Sequence, residues 1–526
     1  MKVKEFKTFE IQTRSRENYI AVTNRDLRNS LREILHDDIL YHDVPVVKEQ
    51  RAVGWLAKLN LIKNESNETA ELCKYLTNAS TAQRKQVEAL VANRVISYDL
   101  CMHLFPEDAE IIVCGDELQG GRVTATKYVD SFFGSMLEVT YSYIGTDGVN
   151  FGLTNGLIKI PSWEGTKPIA NLPVRPIDQQ EKQQLALRGD LFRRIGTGAN
   201  YMRYNGLMDV WKWWRWESQR AHGRIMVDEA SYAQFVDGYL KVDQQDIEAI
   251  HDDNLWMCSA YVKGFSFATK QMGRFALSQI NDIQFNDSAF DQLVMDLDKK
   301  QLIESLVTTT GSQFQDIIGG KGGGCIFLLH GEPGVGKTLT AEAIAELLHR
   351  PLYSVSVGEL GVNPEELERN LRRILDIAQI WNAVILIDEA DIFLEKRSEG
   401  DILRNAMVGI FLRLLEYHAG VLFLTTNRVR EFDPAFHSRI SVALKYGKLT
   451  RHAREQIWSN LLSAAGITEL DPHELSKYEI NGRQIKTTIR LAMGLAAHSG
   501  VPVNAEHVRA TLAISQQFVK DLSAKE

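Results

Sequence analysis

A glycine-rich loop at residues 331–338, GEPGVGKT, lies between an apolar run at 325–329 and an alanine-rich run at 339–348. This order indicates a strand, a loop and a helix, in which glycines let backbone N–H groups close around phosphates. In such a loop Lys337 reaches the β- and γ-phosphates, and the hydroxyl of Thr338 suits a Mg²⁺ ion. The loop therefore predicts a nucleoside triphosphate site, with a plain glycine turn as the alternative. We expect the nucleotide to contact these residues: Glu332, Pro333, Gly334, Val335, Gly336, Lys337, Thr338 and Leu339.

A second apolar run, AVILI at residues 383–387, ends in the acidic sequence DEAD at 388–391. An unbroken apolar run predicts a strand that is buried on both faces, and its carboxylates would face the glycine loop. Asp388 suits the shell of a Mg²⁺ ion, and Glu389 is placed to polarise an attacking water, as phosphoryl transfer requires. A solvated acidic turn is the simpler alternative.

A third apolar run, VLFL at residues 421–424, leads into the sequence TTN at 425–427. The carboxamide of Asn427 can hydrogen-bond both a γ-phosphate and the attacking water. Further on, Arg439 lies in a short turn-like segment, where it could project from the subunit edge as an arginine finger for a neighbour's nucleotide. Taken alone, either residue fits a solvated surface equally well, and their order after the first two motifs favours the catalytic interpretation.

These motifs, at 331–338, 385–391, 426–427 and Arg439, resemble the Walker A, Walker B, sensor-1 and arginine-finger elements of the AAA+ ATPases. The resemblance implies ATP hydrolysis with ATP and Mg²⁺ as cofactors. It also implies self-association into a ring, with a hexamer expected. It places Thr338 and Asp388 at the metal.

The segment INGRQI at residues 480–485 corresponds to the sensor-2 region of that family. The resemblance implies that Arg483 contacts the γ-phosphate in cis, from a helical lid. Many members near the protein-remodelling branch carry alanine at this position. The arginine therefore favours a branch with a lid-borne cation.

The N-terminal half contains a set of short characteristic runs, at 104–106, 143–144, 147–148, 151–152, 172–174, Pro176, 188–189 and 223–228. In these runs it resembles the uncharacterised N-terminal domain of a group of fungal single-ring AAA+ proteins. Two runs in the ATPase core, at 355–361 and 411–417, are also similar to that group. The likeness identifies a family but implies no substrate.

The expected fold class is α/β, with a three-layer P-loop core and a helical lid after an α+β N-terminal region that contains a small β-rich module. Apolar spacing predicts helices at 26–35 and 82–104, and short β-like runs occur at 111–113, 123–126, 136–141 and 157–160. We expect four regions. They are a mainly helical region at 1–104, a β-rich domain at 105–267, an ATPase subdomain at 268–446 that begins with a linker helix at 268–281, and a helical lid at 447–526.

Composition limits the classes of function. The chain has 526 residues, a net charge of -8 and 44% hydrophobic residues, which fits several ordinary cores and makes nucleic acid an unlikely partner. The five cysteines are scattered and form no metal or disulfide pattern. No run approaches the length of a membrane-spanning helix, so we expect a soluble, intracellular protein without a transmembrane segment.

Two segments bear on what the ATPase acts on. The sequence WKWWRW at 211–216 predicts a helix that packs two indoles inward under Lys212 and Arg215, with a partner-docking patch as the alternative. The stretch 358–363 lacks the aromatic residue with which ring unfoldases grip a threaded chain. A substrate would then be handled through Leu360 and Val362, or without full threading.

The preferred function is an ATPase that remodels a protein or protein complex recruited by the N-terminal domain. The first alternative is a nucleotide-gated scaffold with low turnover. The second is an ATPase that acts on nucleic acid. The presence of Glu389 and Arg439 favours turnover over the scaffold, and the acidic net charge disfavours nucleic acid.

Overall fold

The computed structural model describes most of the chain. The described residues are 2–5, 9–14, 17–35, 38–41, 43–49, 52, 55–56, 59, 67–131, 134–213, 215–236, 244–309, 324–394, 401–428 and 434–523. Antiparallel sheets occupy the N-terminal half, and a parallel sheet with helices begins after residue 324. The predicted α/β class therefore holds for the C-terminal part of the chain.

The N-terminal segment contains an antiparallel sheet of order β1-β2-β3-β4. Its elements are β1 (Lys2–Glu5), β2 (Glu10–Arg14), β3 (Glu17–Ala21), α1 (Arg25–Leu35), β4 (Val46–Lys48) and α2 (Asn67–Ala92). Ile11 and Ile20 lie opposite each other on β2 and β3 and are buried, and α1 buries Leu27 and Leu31 one turn apart. The prediction of a mainly helical region at 1–104 missed this sheet, because such short strands with one exposed face carry too few apolar residues to show alternation.

The region from residue 95 to residue 281 is rich in strands. Its elements are β5 (Val95–Ser97), β6 (Glu110–Cys114), β7 (Leu118–Ser131), β8 (Gly134–Thr146), β9 (Phe151–Pro161), β10 (Thr166–Pro168), β11 (Val174–Pro176), α3 (Gln179–Ile195), β12 (Asn200–Lys212), β13 (Arg215–Val227), α4 (Glu229–Phe235), β14 (Gln244–Asp246), β15 (Tyr261–Ser266), β16 (Gln271–Ala276) and β17 (Ile280–Asn281). One antiparallel sheet has the order β11-β6-β7-β8-β9-β14. The β-like runs predicted from residue 111 onward lie within β6, β7, β8 and β9.

A second antiparallel sheet has the order β13-β15-β16-β12-β17, and β13 also pairs with β12. The predicted linker helix at 268–281 is therefore wrong, because this segment forms β16 and β17 of the sheet. Apolar residues four apart, such as Met272 and Ala276, gave the segment a helical appearance. Gly273 marks a close approach between β16 and β12, because a Cβ at this position would meet the Met208 side chain at 2.4 Å and the Asp209 carbonyl at 2.9 Å. The boundary predicted after residue 267 also divides the β15–β16 hairpin.

The tryptophan-rich segment forms the tip of the β12–β13 hairpin, so the predicted helix is wrong here as well. Trp211 and Trp216 are cross-strand partners with ring centroids 5.1 Å apart. The guanidinium of Arg274 lies over the Trp216 ring at 4.7 Å, whereas Lys212 and Arg215, which were predicted to cover the indoles, contact Glu217 at 3.9 and 2.7 Å. Trp213 is 89% exposed, and Trp214 lies outside the described residues.

The C-terminal half begins with a parallel sheet of order β19-β20-β21-β18-β22. Its elements are α5 (Leu297–Thr309), β18 (Cys325–Gly331), α6 (Lys337–Leu347), β19 (Leu352–Ser356), α7 (Val357–Leu360), α8 (Pro364–Ile380), β20 (Val384–Asp388), α9 (Asp391–Leu394), α10 (Ile402–Glu416), β21 (Val421–Thr426) and β22 (Val442–Tyr446). The apolar residues of β20 and β21 are 0% exposed because helices cover both faces of the sheet. The carboxyl ends of β18, β20 and β21 therefore meet at one edge.

Helices follow the parallel sheet up to residue 523. They are α11 (Arg451–Ala464), α12 (Pro472–Leu475), α13 (Gly482–Ser499) and α14 (Ala505–Ser523). They share an apolar core that includes Trp458, Ile485 and Leu512. The N-terminus of α13 touches the glycine loop, since the Gly482 N–H donates to the Gly334 carbonyl at 3.0 Å.

The second antiparallel sheet packs against the edge strand β19 and against α8. Phe265 stacks on Tyr353 with ring centroids 5.3 Å apart and lies 5.4 Å from the ring of Trp381. The indole N–H of Trp381 donates to the buried carboxylate of Asp228 at 2.8 Å. The N-terminal half is thus joined to the parallel sheet by an aromatic cluster and a buried hydrogen bond.

Candidate nucleotide site

The glycine loop connects β18 to α6. Gly334 and Gly336 have φ angles of 78° and 106°, which residues with a side chain seldom adopt. Helix α6 begins at Lys337, and the N–H groups of its first turn have no partner within the helix. The loop can therefore direct N–H groups and a helix N-terminus towards an anion.

Lys337 lies at the centre of this edge and is 8% exposed. Its ammonium group donates to the carbonyls of Gly331 and Glu332 at 2.9 and 2.8 Å, and to the Asn427 side-chain oxygen at 2.9 Å. Burial lowers the pKa of Lys337, and the charge of Asp388 opposes this shift. The cation is thus held between the glycine loop and the end of β21.

Asp388 ends β20, and Glu389 follows it in a left-handed backbone conformation with φ 55°. The carboxylate of Asp388 accepts a hydrogen bond from the Thr425 hydroxyl. The N–H of Glu389 donates to the same hydroxyl at 3.0 Å. Thr425 therefore ties the acidic turn to the neighbouring strand.

Asn427 follows β21 and is exposed apart from its contact with Lys337. The preceding residue, Thr426, donates to the carboxylate of Asp391 and accepts from the N–H of Arg428 at 3.0 Å. The structure thus brings together Lys337, Asn427 and the acidic turn that the sequence analysis had selected.

The other residues predicted to contact the nucleotide lie around Lys337. Thr338 is half-buried in the first turn of α6, whereas Leu339 is 55% exposed. Pro333 and Gly334 contact the start of α13, where the Asn481 amide donates to the Pro333 carbonyl at 3.4 Å. Val335 and Gly336 form the turn before the helix.

Arg483 lies in the first turn of α13 and is exposed. Its positive charge is close enough to lower the pKa of Lys337, although burial is the larger cause. Asn481 caps this helix by accepting from the Gln484 N–H at 2.9 Å. Sequence reasoning did not select Asn481, although an asparagine three residues before a glutamine is a capping signal.

Arg439 lies between a single turn at Pro434–Phe436 and β22. Its guanidinium contacts the Glu416 carboxylate at 3.1 Å and donates to the Ala435 carbonyl at 2.9 Å. Glu416 is the last residue of α10. Arg439 is therefore bound within its own subunit and does not join the group around Lys337.

Leu360 and Val362, which were predicted to handle a substrate, differ in exposure. Leu360 is 0% exposed and belongs to the core beside β19, so its predicted role as a surface contact is wrong. Val362 is 82% exposed. The start of α7 shares a cavity of about 800 Å³ with Asp388 and Glu389. The segment before Val362 is thus next to the acidic turn.

Together, a parallel sheet with mixed α/β content, a glycine loop before a helix and an acidic strand end define a P-loop nucleotide-binding fold. Comparison with known proteins agrees with this assignment of the fold. Residues 327–447 match the family described as "ATPase family associated with various cellular activities (AAA)". Residues 86–181 match a domain of unknown function, DUF7025. The chain thus contains a region similar to AAA ATPase domains and, before it, a region similar to an uncharacterised domain.

Several curated relatives are similar to the ATPase region. ATPase family AAA domain-containing protein 3B of Homo sapiens is 32% identical over 138 residues, which are 25% of this chain and 21% of the relative. Spastin of Danio rerio is 28% identical over 219 residues, 38% of this chain and 37% of the relative. Nuclear valosin-containing protein-like of Mus musculus is 36% identical over 148 residues, 26% of this chain and 17% of the relative. The chain thus spans well under half the length of each of these relatives.

In the part of the chain that the structure describes, no helix is both long and apolar enough to cross a bilayer. Nor do three or more His, Cys, Asp or Glu side chains in the described ranges gather in a way that could hold a metal ion.

Proposed function

We propose that this chain hydrolyses ATP at the sheet edge formed by β18, β20 and β21. The observation that carries the proposal is the 2.9 Å contact between Lys337 and Asn427 beside the acidic turn of Asp388 and Glu389. A cation, a carboxamide and two carboxylates at one edge match the needs of phosphoryl transfer, which are charge neutralisation and an oriented water.

Each group has a defined role in the proposal. Lys337 and the loop N–H groups hold the β- and γ-phosphates. Thr338 and Asp388 hold Mg²⁺, which neutralises phosphate charge when it is bound. Glu389 and Asn427 orient the attacking water.

We further propose that residues 447–526 act as a lid over this site. The contact between the Gly482 N–H and the Gly334 carbonyl at 3.0 Å supports this, because it joins the first turn of α13 to the phosphate loop. Arg483, in the same turn, would contact the γ-phosphate in cis. Loss of that phosphate would then change how firmly α13 is held to the loop.

Arg439 is proposed to complete the site of a neighbouring subunit in a ring, with six subunits as the expected number. The side chain of Arg439 is 28% exposed and pairs with Glu416, the last residue of α10. If this ion pair breaks, the guanidinium is free to turn towards a neighbouring subunit. Assembly would exchange the internal carboxylate partner for a neighbour's phosphate.

At the level of the whole protein, we propose remodelling of a protein or protein complex recruited by the N-terminal half, which resembles that of the fungal single-ring group. Lys270, in the turn between β15 and β16, contacts Glu359 of α7 at 2.6 Å. Helix α7 borders the cavity at Glu389 and precedes the exposed Val362. A structural change at the nucleotide site can therefore be passed through α7 to Val362 and, through Lys270, to the N-terminal half. The scaffold with low turnover and the nucleic-acid ATPase remain the alternatives.

An order-of-addition experiment separates remodelling from scaffolding. Partners captured on Glu389→Gln with ATP are identified by mass spectrometry, and the purified partner is then added to wild-type protein. Remodelling predicts that the partner stays on Glu389→Gln and leaves the wild type as ATP is consumed. Equal retention by both proteins over many turnovers would favour the scaffold.

A further inference from the structure

Thr425 contacts the acidic turn through both its side chain and its backbone. It is 1% exposed and lies next to last in β21. Its hydroxyl donates to the Asp388 carboxylate and accepts from the N–H of Glu389 at 3.0 Å. Its carbonyl accepts from the N–H of Ala390 at 2.9 Å. One residue thus contacts each residue of the sequence from Asp388 to Ala390.

These contacts act on the two groups that hydrolysis would use. Because one carboxylate oxygen of Asp388 accepts from Thr425, the other oxygen is the one offered to a metal ion or its water. Glu389 has φ 55°, a left-handed conformation that glutamate seldom adopts, and its N–H is held by the same hydroxyl. The carboxylate of Asp388 and the backbone of Glu389 are thus held by the same hydroxyl.

The neighbouring residue, Thr426, contacts a different carboxylate. The Thr426 hydroxyl contacts Asp391 and the backbone of Arg428, on the opposite face of the strand from Thr425. The end of β21 therefore holds Asp388 and Asp391 through separate hydroxyls. Of these two threonines, Thr425 is the one that contacts the proposed metal carboxylate.

We propose that Thr425 is a positioning residue for ATP hydrolysis, which fixes the Asp388 carboxylate and the backbone of Glu389 without contacting the nucleotide. This inference rests on the proposed function. A hydroxyl can serve as donor to Asp388 and acceptor for Glu389 at once, whereas valine, of similar size and branching, can do neither. Serine retains the hydroxyl and loses only a methyl group.

The experiment compares Thr425→Val and Thr425→Ser with wild type and with Thr511→Val. Thr511 is a suitable control because it is also buried, and its hydroxyl contacts only helix carbonyls of α14, at 3.1 and 2.9 Å in the described part of the chain. For each protein, kcat and KM for ATP are measured, together with ATP affinity in Mg²⁺ and in EDTA. Thermal unfolding shows whether each variant is folded.

We expect Thr425→Val to lower kcat about tenfold to a hundredfold, as for loss of a hydrogen bond to a charged group. Its affinity for ATP in EDTA should stay within about twofold of wild type, and the gain in affinity on adding Mg²⁺ should shrink. Thr425→Ser should recover most of both properties. Thr511→Val should resemble wild type in turnover.

Two results would overturn the inference. One is a Thr425→Val protein with wild-type kcat and an undiminished Mg²⁺ effect on affinity. The other is a loss of kcat that serine does not restore and that leaves the Mg²⁺ effect intact, which indicates a packing defect. Failure of the proposed function would give a different result. In that case wild-type protein and Glu389→Gln would have the same ATP turnover.

Discussion

The buried hydrogen bond between Trp381 and Asp228 provides a quantitative test of how the N-terminal half is attached to the ATPase sheet. We expect Trp381→Phe to lower the free energy of unfolding by about 2.5–4 kcal/mol. Loss of a hydrogen bond to a charged group costs about 1.5–3 kcal/mol, and the smaller ring adds about 1 kcal/mol for unfilled volume. Both side chains are nearly inaccessible, at 4% and 3% exposure, so water cannot replace the lost indole donor.

Trp458→Phe is the matched control. Trp458 is 0% exposed, and among the described residues its indole nitrogen has no hydrogen-bond partner. The same ring change should therefore cost at most about 1 kcal/mol for unfilled volume, because it also removes a buried donor that has no partner. The difference between the two variants isolates the hydrogen bond to Asp228.

Equilibrium unfolding in urea, followed by circular dichroism, measures both variants at the same pH. The predicted result is an excess loss of about 1.5–3 kcal/mol for Trp381→Phe. Equal losses in the two variants would refute the argument that this bond stabilises the attachment. The dependence of the unfolding free energy on urea concentration should be the same in both variants as in wild type. This would show that the substitutions change stability and not the compactness of the unfolded state.

Three further predictions concern other parts of the ATPase region. Burial lowers the pKa of His418 from 6.5 to about 4. The unfolded chain therefore takes up this proton first, and stability should fall by about 3 kcal/mol as the pH drops from 6.5 to 4, a loss that His418→Gln should reduce in pH-dependent urea titrations. Arg483→Ala should weaken ATP more than ADP in binding titrations, and equal weakening would indicate a role in folding of the lid. Arg439→Ala and Lys337→Ala should each lack turnover but recover part of it when mixed, and mixed rings without activity would exclude a finger supplied in trans.

The local motifs of the ATPase region could be predicted from the sequence because their chemistry requires adjacent residues. The loop before Lys337 and the carboxylates at the end of β20 are of this kind, and unbroken apolar runs marked strands of the parallel sheet. Residues 268–281 could not be predicted correctly, because pairing with β12 and β15 overrides a helix-like spacing of apolar side chains. Thr425 was not selected because its importance comes from a contact across strands that are far apart in sequence.

The central claim is that Lys337 holds the triphosphate, whereas Glu389 acts only in its cleavage. The most direct measurement is a parallel determination of ATP binding and phosphate release for Lys337→Ala and Glu389→Gln. The account predicts that Lys337→Ala loses binding, and that Glu389→Gln binds ATP like wild type but releases almost no phosphate. Undiminished phosphate release by Glu389→Gln would contradict it.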